Sequence, residues 1–370
     1  KFDPVDDQLA ARMHKAIAIM QFKLEGQLIK EHPEFGLDKR LLLDKIDFEN
    51  GTVNVEGTVY PLNDTFFPTI DPNNPYELTE EERAVMNSLS ASIINSERLQ
   101  THIRYMFSHG SLYKRINGNL LFHGCIPMDE NGDFLPVDIY GAKCAGRALM
   151  EHLDKQIRAS YFTPEKIKKY GKAGDLMWYL WLAKDSPLFG KEKMTTFERL
   201  FIDDKASHKE HVRPYYKLIN SKEPCEKILR EFGLDPSHSK ILNGHVPVKI
   251  KNGESPIKGG GLLYVIDGGI SKAYQKQTGI AGYTFIFNSR FMALAEHKPY
   301  EPLREDGTQK FFSPSMKTVD TLKTRMLVID TDEGAELLRQ AEAVKRLVEA
   351  YRTGEIKERA EGKYSAYKGK

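Results

Sequence analysis

The sequence has few cysteines and no long apolar run. Its 370 residues include 3 cysteines, which are widely spaced and odd in number: Cys125, Cys144 and Cys225. Because a disulfide framework needs paired cysteines, this usage favours free thiols in a reducing cytoplasm. No apolar run approaches the roughly 20 residues that a membrane span needs, and no secretory signal opens the chain. We therefore expect a cytoplasmic protein without a membrane partner.

The sequence also lacks a surplus of charge of either sign. Lysine and arginine number 54, aspartate and glutamate number 52, and the formal net charge is +2. This balance provides no bulk electrostatic attraction to nucleic acid, so we expect no nucleic-acid partner. The length suffices for one large domain or two modest ones. The chain opens on lysine rather than methionine, which leads us to expect part of a longer protein.

Regular secondary structure is predicted in the first third of the chain. Apolar residues recur at helical spacing from Asp6 to about Ile29. Alternating residues in Lys45–Tyr60, interrupted by Asn50-Gly51, predict a hairpin. Thr79–Gly110 is predicted to be one long helix with one buried face, and Glu82 completes a capping box at its start. This helix and the aromatic segment around Trp178 would suit either a homo-oligomer contact or ordinary core packing.

A glycine-rich stretch near residue 250 carries the chemistry. In Ser239–Gly269, three apolar strands each end at a glycine-bearing turn with a polar group, two of them Asn243-Gly244-His245 and Asp267-Gly268-Gly269. Glycine permits sharp turns and lets a ligand approach the backbone closely. An earlier strand in Gly118–Pro127 similarly ends at His123. Two histidines at two strand ends indicate one metal site, although hydrogen-bonded structural histidines explain the same pattern.

Several blocks of sequence together resemble one family, the class III fructose-1,6-bisphosphatases of Firmicutes and related bacteria. The blocks are GNLLFHGCIP, DSPLFGK, TTFERLFI, EFGL, NGHVPVK, VIDGGISKAYQ and TGIAGYT, and the resemblance covers almost the whole chain. It implies an α/β (α+β) fold of the calcineurin-like metallophosphoesterase type, with a β-sandwich flanked by helices. Residues 119–353 would form the C-terminal part of that domain, 1–118 a helical and hairpin insertion region, and 354–370 a charged tail.

The resemblance also implies a site built on manganese. His123 and His245 occupy the positions of two histidine ligands in the superfamily's series of metal-binding motifs, and a binuclear Mn²⁺ site is the expected cofactor. Asp267 would hydrogen-bond a histidine ligand or simply shape its turn. Lys249, Lys258 and Lys272 would bind substrate phosphate, although each alone reads equally as a surface lysine. No residue of this chain is assigned as catalytic.

Cys125 and the triple glycine Gly259–Gly261 are weaker candidates beside that site. Cys125 lies two residues after His123 and would be a metal neighbour, but its apolar context favours a packed small residue. The glycines would present backbone N–H groups to a phosphate or form an ordinary hairpin turn.

The sequence departs from the superfamily pattern in three motifs. It contains no Asp-x-His, no Gly-Asp-x-x-Asp-Arg and no Gly-Asn-His-Glu. In the family, those motifs lie in an N-terminal half. We therefore expect this chain to be the C-terminal portion of such an enzyme and to bind metal weakly by itself. The missing ligands also argue against activity of this chain on its own.

The expected activity is hydrolysis of fructose 1,6-bisphosphate to fructose 6-phosphate and phosphate in gluconeogenesis. Two divalent ions would neutralise the transferred phosphoryl group and activate a water for attack. The expected partner is thus a sugar-bisphosphate substrate. Two alternatives stay open: another metal-dependent phosphatase that acts on phosphoproteins or dinucleotides, and a non-catalytic regulatory or binding module.

Overall fold

The structure is a computed structural model that describes residues 6–163, 174–269, 275, 277–280, 282–298 and 314–357. Its helices are α1 Asp7–Glu31, α2 Glu80–Ile94, α3 Glu97–His109, α4 Gly146–Phe162, α5 Leu176–Leu182, α6 Phe197–Phe201, α7 Tyr215–Leu218, α8 Lys222–Glu231 and α9 Asp332–Arg352. Its strands are β1 Ile46–Asp47, β2 Thr52–Val55, β3 Thr58–Pro61, β4 Tyr113–Ile116, β5 Asn119–Phe122, β6 Val137–Ile139, β7 Ala142–Cys144, β8 Ile241–Asn243, β9 Ile257–Lys258, β10 Leu263–Val265, β11 Gly282–Phe287, β12 Phe291–His297 and β13 Ser315–Thr321. The expectation of a mixed α and β protein is confirmed. No described helix is both long enough and apolar enough to span a bilayer.

The first helix and the first hairpin form where the sequence predicts them. Asp6 caps α1 by accepting a hydrogen bond from the Leu9 amide at 2.9 Å. The strands β1 and β2 pair antiparallel across the Asn50-Gly51 turn, with Ile46 opposite Val53. Val53 is fully buried in a small second core with side chains from α1 and α6. The hairpin therefore forms because one of its faces has a helix to pack against.

The prediction of one long helix over Thr79–Gly110 is wrong. The helix is interrupted at Asn95-Ser96, which separates α2 from α3. Ser96 starts α3 as its N-cap and accepts a hydrogen bond from the Leu99 amide at 3.4 Å. Serine competes for backbone N–H groups and so favours caps over helix interiors. The helical spacing of the apolar residues continues across the break and conceals it.

The predicted buried face of Thr79–Gly110 is also wrong. Apolar side chains are exposed on the first half of α1 and on α2, α3 and α9, including Leu9, Met13, Val85, Leu89, Ile93, Leu99, Met106, Leu337, Leu338 and Val344. Helical periodicity predicts that a face is apolar, but it does not supply the element that would cover it. The second half of α1 does pack inward, through residues such as Ile19, Phe22 and Ile29.

A five-stranded sheet positions the two histidine turns. Its strand order is β4-β5-β8-β10-β9, with β5, β8 and β10 parallel to one another and the outer two strands antiparallel to their neighbours. Leu120 lies opposite Ile241, and Ile241 lies opposite Leu263. The carboxyl ends of the three central strands therefore meet at one edge of the sheet, where ligands commonly bind in such sheets.

Both faces of this sheet are covered. Leu120, Ile241 and Leu263 are fully buried on one face, in the main core that also contains side chains of α4 and α8. On the opposite face, the Tyr264 ring lies 4.9 Å from the Phe285 ring of β11. The strands β11, β12 and β13 form a separate antiparallel sheet in that order. Successive side chains of a strand point to opposite faces, so each central strand packs against the main core on one face and against the β11–β13 sheet on the other.

Candidate metal site

His123 and His245 lie side by side at the carboxyl edge of the five-stranded sheet. His123 follows β5 directly, and His245 follows β8 after one glycine. The Gly244 amide donates to the His123 carbonyl at 2.8 Å, which continues the parallel pairing of β5 and β8 beyond the strands. The His123 Nε2 and the His245 Nδ1 are 3.1 Å apart. The predicted convergence of two histidines from two strand ends is thus present in the geometry.

The backbone at His245 adopts a conformation that residues with a side chain rarely take. Its φ is +69°, in the left-handed region. Such strain costs on the order of 1–3 kcal/mol and persists where the surrounding structure enforces it. Gly244 precedes it beside Asp267, where an added Cβ would lie 3.4 Å from the Asp267 Cβ. The turn therefore holds the His245 ring against the His123 ring.

Asn243 fastens the two histidine turns together. It is buried, and its Nδ2 donates to the Gly124 carbonyl at 3.1 Å and to the Tyr215 hydroxyl at 2.8 Å. Gly124 comes just after His123, and Asn243 comes two residues before His245. Its Oδ1 is buried without a hydrogen-bond partner in the part of the chain that the structure describes. Because buried polar atoms are normally paired, this acceptor marks a strained or functional position.

Burial favours the neutral form of both imidazoles. Burial lowers the pKa of His123, and the Asp267 carboxylate opposes that shift. Burial also lowers the pKa of His245, and positive charge on His123 when it is protonated, together with that of Lys191, lowers it further. The Phe189 backbone and Asp267 act in the opposite direction. A neutral imidazole has a free lone pair on one nitrogen, which is the form that binds a metal ion.

The donor atoms fit one metal ion. A zinc–nitrogen bond is about 2.0–2.1 Å long, which places two imidazole nitrogens roughly 2.9–3.4 Å apart on one ion. The observed nitrogen–nitrogen distance is 3.1 Å, which also suits a shared proton when no ion is bound. Two histidines are too few ligands for a closed site, so further ligands would be required.

The remaining predicted site residues lie at different distances from the histidine pair. Asp267 is adjacent, with its Oδ2 4.0 Å from the position of a Cβ on Gly244, and its Oδ1 accepts from the Gly269 amide. Lys249 is exposed four residues after His245. Lys258 lies opposite Leu263, at the other end of the strands, and donates to the Asn220 Oδ1 at 2.8 Å. Lys272 lies outside the described residues.

The structure also shows the surroundings of the two weaker candidates, Cys125 and Gly259–Gly261. Cys125 is buried and its Sγ donates to the Ser186 carbonyl at 3.6 Å, so it behaves as a packed small residue. Burial raises the pKa of its thiol to about 12, which keeps it protonated. Gly259–Gly261 forms a short 3-10 turn that starts beside Lys258, at the end of the sheet away from the histidines.

Sequence reasoning missed Lys191. Lys191 is the last residue of the quoted block DSPLFGK, but the sequence assigns it no role. The Phe189 ring of the same block lies 6.4 Å from the His245 ring, and the charge of Lys191 reaches His245 strongly enough to lower its pKa. The available signal was a lysine that follows a glycine inside a block shared with the resembled family.

A second group of potential ligands lies far along the chain from these turns. Among the described residues, Glu31, His32 and Asp175 place one ligand atom each within 4.8 Å of one another. However, the Nδ1 of His32 is 2.9 Å from the Glu34 carboxylate, and its Nε2 is 2.9 Å from the Asp175 carboxylate. Burial would lower the pKa of His32, but these two partners raise it on balance. Both ring nitrogens are thus engaged, as expected of a charge-paired imidazolium.

Comparison with known proteins identifies a family and relatives that this chain resembles in sequence. The family described as Firmicute fructose-1,6-bisphosphatase matches residues 1–353. A protein named fructose-1,6-bisphosphatase class 3 from Clostridium tetani (strain Massachusetts / E88) is 52% identical over 360 residues, which are 96% of this chain and 54% of that protein. Its namesake from Clostridium novyi (strain NT) is 50% identical over 351 residues, 95% of this chain and 53% of its own length. The chain therefore spans about half the length of these relatives. No solved structure matches it significantly.

Proposed function

Because the chain belongs to the Firmicute fructose-1,6-bisphosphatase family, we propose that it supplies part of the active site of an enzyme that hydrolyses fructose 1,6-bisphosphate. The products would be fructose 6-phosphate and phosphate, as gluconeogenesis in the cytoplasm requires. The observation that carries the proposal is the convergence of His123 and His245, with nitrogens 3.1 Å apart, at the edge of the sheet. The family match disfavours a phosphoprotein or dinucleotide phosphatase, and the paired histidines disfavour a non-catalytic module.

We extend the proposal to the fold and the cofactor. The two facing sheets, joined by the Tyr264–Phe285 contact, support a β-sandwich of the calcineurin-like metallophosphoesterase type. His123 and His245 would hold one ion of a binuclear manganese site, with the remaining ligands supplied from outside this chain. Imidazole and carboxylate donors together suit manganese. When bound, the ions would neutralise phosphoryl charge and lower the pKa of a bound water.

This chain's own residues would contribute position and charge. The lowered pKa of each histidine keeps its lone pair available near neutral pH. Asn243 fixes the relative position of the two histidine turns through Gly124. Asp267 adds a negative charge beside both imidazoles, which would stabilise a cation held there and orient its ligands.

A chimera tests the proposal. The chain replaces the matching segment of the Clostridium tetani relative, and phosphate release from fructose 1,6-bisphosphate is measured with added Mn²⁺. We expect an active chimera that loses activity about 100-fold or more on His245→Ala, since removal of a ligand should cost at least as much as loss of an outer-shell partner. His109→Ala, which alters an exposed histidine on α3, is the matched control and should stay active.

Two results would contradict the proposal. An inactive chimera, beside an active parent relative and with a folded circular-dichroism spectrum, would refute the activity. An active chimera whose His245→Ala and His123→Ala variants retain full activity and full Mn²⁺ affinity by electron paramagnetic resonance would refute the ligand assignment.

A further inference from the structure

We propose that Lys191 binds a phosphate group of the substrate beside the histidine pair, a role that rests on the proposed function and specifies its phosphate-binding residue. The ligand class is a phosphate monoester or inorganic phosphate. The lysine would act as a positioned point charge toward the phosphate oxygens.

The loop that carries Lys191 is interlocked with the turn that follows His123. The Cys125 amide donates to the Pro187 carbonyl at 2.9 Å. A Cβ on Gly124 would lie 2.6 Å from that same carbonyl, so only glycine fits there. Gly190 has a φ of +62°, and a Cβ on it would lie 2.8 Å from the Cys125 Sγ. The loop and the His123 turn therefore form one packed unit.

Lys191 is held on its other side as well. It forms an isolated antiparallel bridge with Val212, and the Arg213 amide donates to the Gly190 carbonyl at 2.9 Å. The Phe189 ring, two residues earlier, stands 6.4 Å from the His245 ring. The backbone of Lys191 is thus fixed in relation to His123 and to His245. A lysine held in this way loses little further freedom when an anion binds.

The Lys191 ammonium group is partly exposed and has a single described carboxylate partner, so an anion can reach it from solvent. The Lys191 Nζ is 2.9 Å from the Glu210 Oε2, and the two side chains are 30% and 15% exposed. Glu210 is itself fixed, because its other oxygen accepts from the Thr195 amide and hydroxyl. An ammonium has three N–H donors, and Glu210 is its one paired carboxylate among the described residues. The Nζ therefore keeps donors for a ligand while Glu210 orients it.

One of the other described lysines proposed for phosphate binding, Lys258, is less well placed. Lys258 lies near the starts of β8 and β10, whereas the histidines follow the ends of β5 and β8. At about 3.3 Å per residue, the strand length alone separates these two ends by roughly 10 Å.

Kinetics of the active chimera described above test the role. We expect Lys191→Met to raise KM for fructose 1,6-bisphosphate and the inhibition constant of inorganic phosphate about tenfold or more, with a smaller change in kcat. Lys191→Arg should recover most of both constants, because it retains the charge. Lys227→Met, which removes another ammonium paired with a carboxylate, that of Asp133 at 2.6 Å, is the matched control and should match the parent. Urea unfolding of each variant shows whether the Lys191–Glu210 pair matters for stability alone.

A folded Lys191→Met variant with unchanged KM and unchanged phosphate inhibition would overturn the inference, as would a lowered kcat with a normal KM. A second measurement separates this failure from failure of the proposed function. Titration of the present chain with inorganic phosphate, followed by NMR of the His123 and His245 ring signals, needs no turnover. We expect shifts that saturate in the parent and weaken in Lys191→Met. Equal titrations of both proteins would also overturn the inference.

Discussion

At the scale of single residues, the two histidines of the site differ in their backbones. His245 has a φ of +69°, and His123 is not among the described non-glycine residues with positive φ. A left-handed residue with a Cβ pays roughly 1–2 kcal/mol that glycine avoids. In an ordinary conformation, glycine instead loses about 0.5–1 kcal/mol to alanine because it is more flexible in the unfolded chain. Substitution by glycine should thus act in opposite directions at the two positions.

We predict that His245→Gly is more stable than His245→Ala by about 1 kcal/mol, although both lose the imidazole. The same pair at His123 should show the reverse order, by about 0.5–1 kcal/mol. The free energy of unfolding in urea measures all four variants, and each histidine serves as the control for the other. The same order at both positions would mean that the turn at His245 is not strained.

The site residues differ in how far the sequence could predict them. The histidine pair was accessible because β5 and β8 each end at a glycine-bearing turn, and the carboxyl ends of parallel strands share an edge. Lys191 was not accessible in this way. Its position depends on Gly190 packing against Cys125, 65 residues earlier in the chain, and no periodic pattern records such a contact. Asn243 was noted only as a polar turn residue, since its bonds to Gly124 and Tyr215 are tertiary.

At the scale of elements, the caps of α2 and α3 differ in strength. Thr79 and Glu82 form a full capping box, and the Glu82 carboxylate also accepts a hydrogen bond from the buried Lys23 ammonium at 2.7 Å. Ser96 accepts only a long hydrogen bond, 3.4 Å from the Leu99 amide, in an exposed setting. We predict that Thr79→Ala lowers the free energy of unfolding by about 1–2 kcal/mol and Ser96→Ala by about 0.5 kcal/mol or less.

Urea unfolding gives the two global values, and hydrogen exchange shows whether each loss stays within its own helix. Equal losses, or a larger loss for Ser96→Ala, would contradict this account. It would then be the break at Asn95-Ser96, rather than the start of α2, that matters most for stability.

His32 joins the end of α1 to the start of α5 through Asp175, and this link depends on pH. Its pKa is raised above the unfolded value of 6.5, because the hydrogen bonds to Glu34 and Asp175 outweigh burial. A raised pKa gives stability that is fully present below pH 6.5 and is lost as pH rises through the folded pKa. We predict that the stability difference between the parent and His32→Gln shrinks as pH rises from 5.5 to about 8.5.

The measurement is the unfolding free energy in urea at four pH values across that window. The difference between variants is used because His123 and His245 act in the opposite sense. Their lowered pKa values give stability that is lost as pH falls below 6.5. Asp175→Asn should reduce the slope of the difference without abolishing it. A difference that is constant with pH would show that His32 is not held as an imidazolium.

Helices and hairpins that are marked by residue spacing and turn residues can be predicted from the sequence. The elements that pack against them cannot. The helix over Asp7–Glu31 and the hairpin at Asn50-Gly51 follow from spacing and turn residues. The break between α2 and α3 does not, because one serine N-cap interrupts an otherwise continuous apolar pattern. The burial predicted for the helical face of Thr79–Gly110 is wrong for a different reason. Periodicity describes a helix surface, whereas burial depends on which other elements lie against it.

At the scale of the whole molecule, the last helix is attached mainly at its first turn. The Asn117 amide donates to the Asp332 carboxylate at 2.7 Å, and the Asp332 amide donates to the Asn117 Oδ1 at 3.0 Å. Gly334 is buried against the Val328 carbonyl. Beyond that turn, the apolar side chains of α9 are exposed, with Leu337 at 50% and Val344 at 58%. The reciprocal pair thus connects the start of α9 to the β4–β5 turn.

We predict that Asp332→Ala and Asn117→Gly each speed amide exchange in α9 about tenfold or more, because each removes one of the two hydrogen bonds that hold its first turn. Asn117 has a φ of +48°, so glycine keeps the turn while deleting its side chain. Protection of the five-stranded sheet should not change, since α9 contributes no residue to the main core. Glu333→Ala removes a neighbouring carboxylate of the same helical turn and is the control. Parallel loss of protection in α9 and in the sheet would show that the helix unfolds only with the whole molecule. Unchanged exchange in α9 would show that contacts other than the Asn117–Asp332 pair hold it in place.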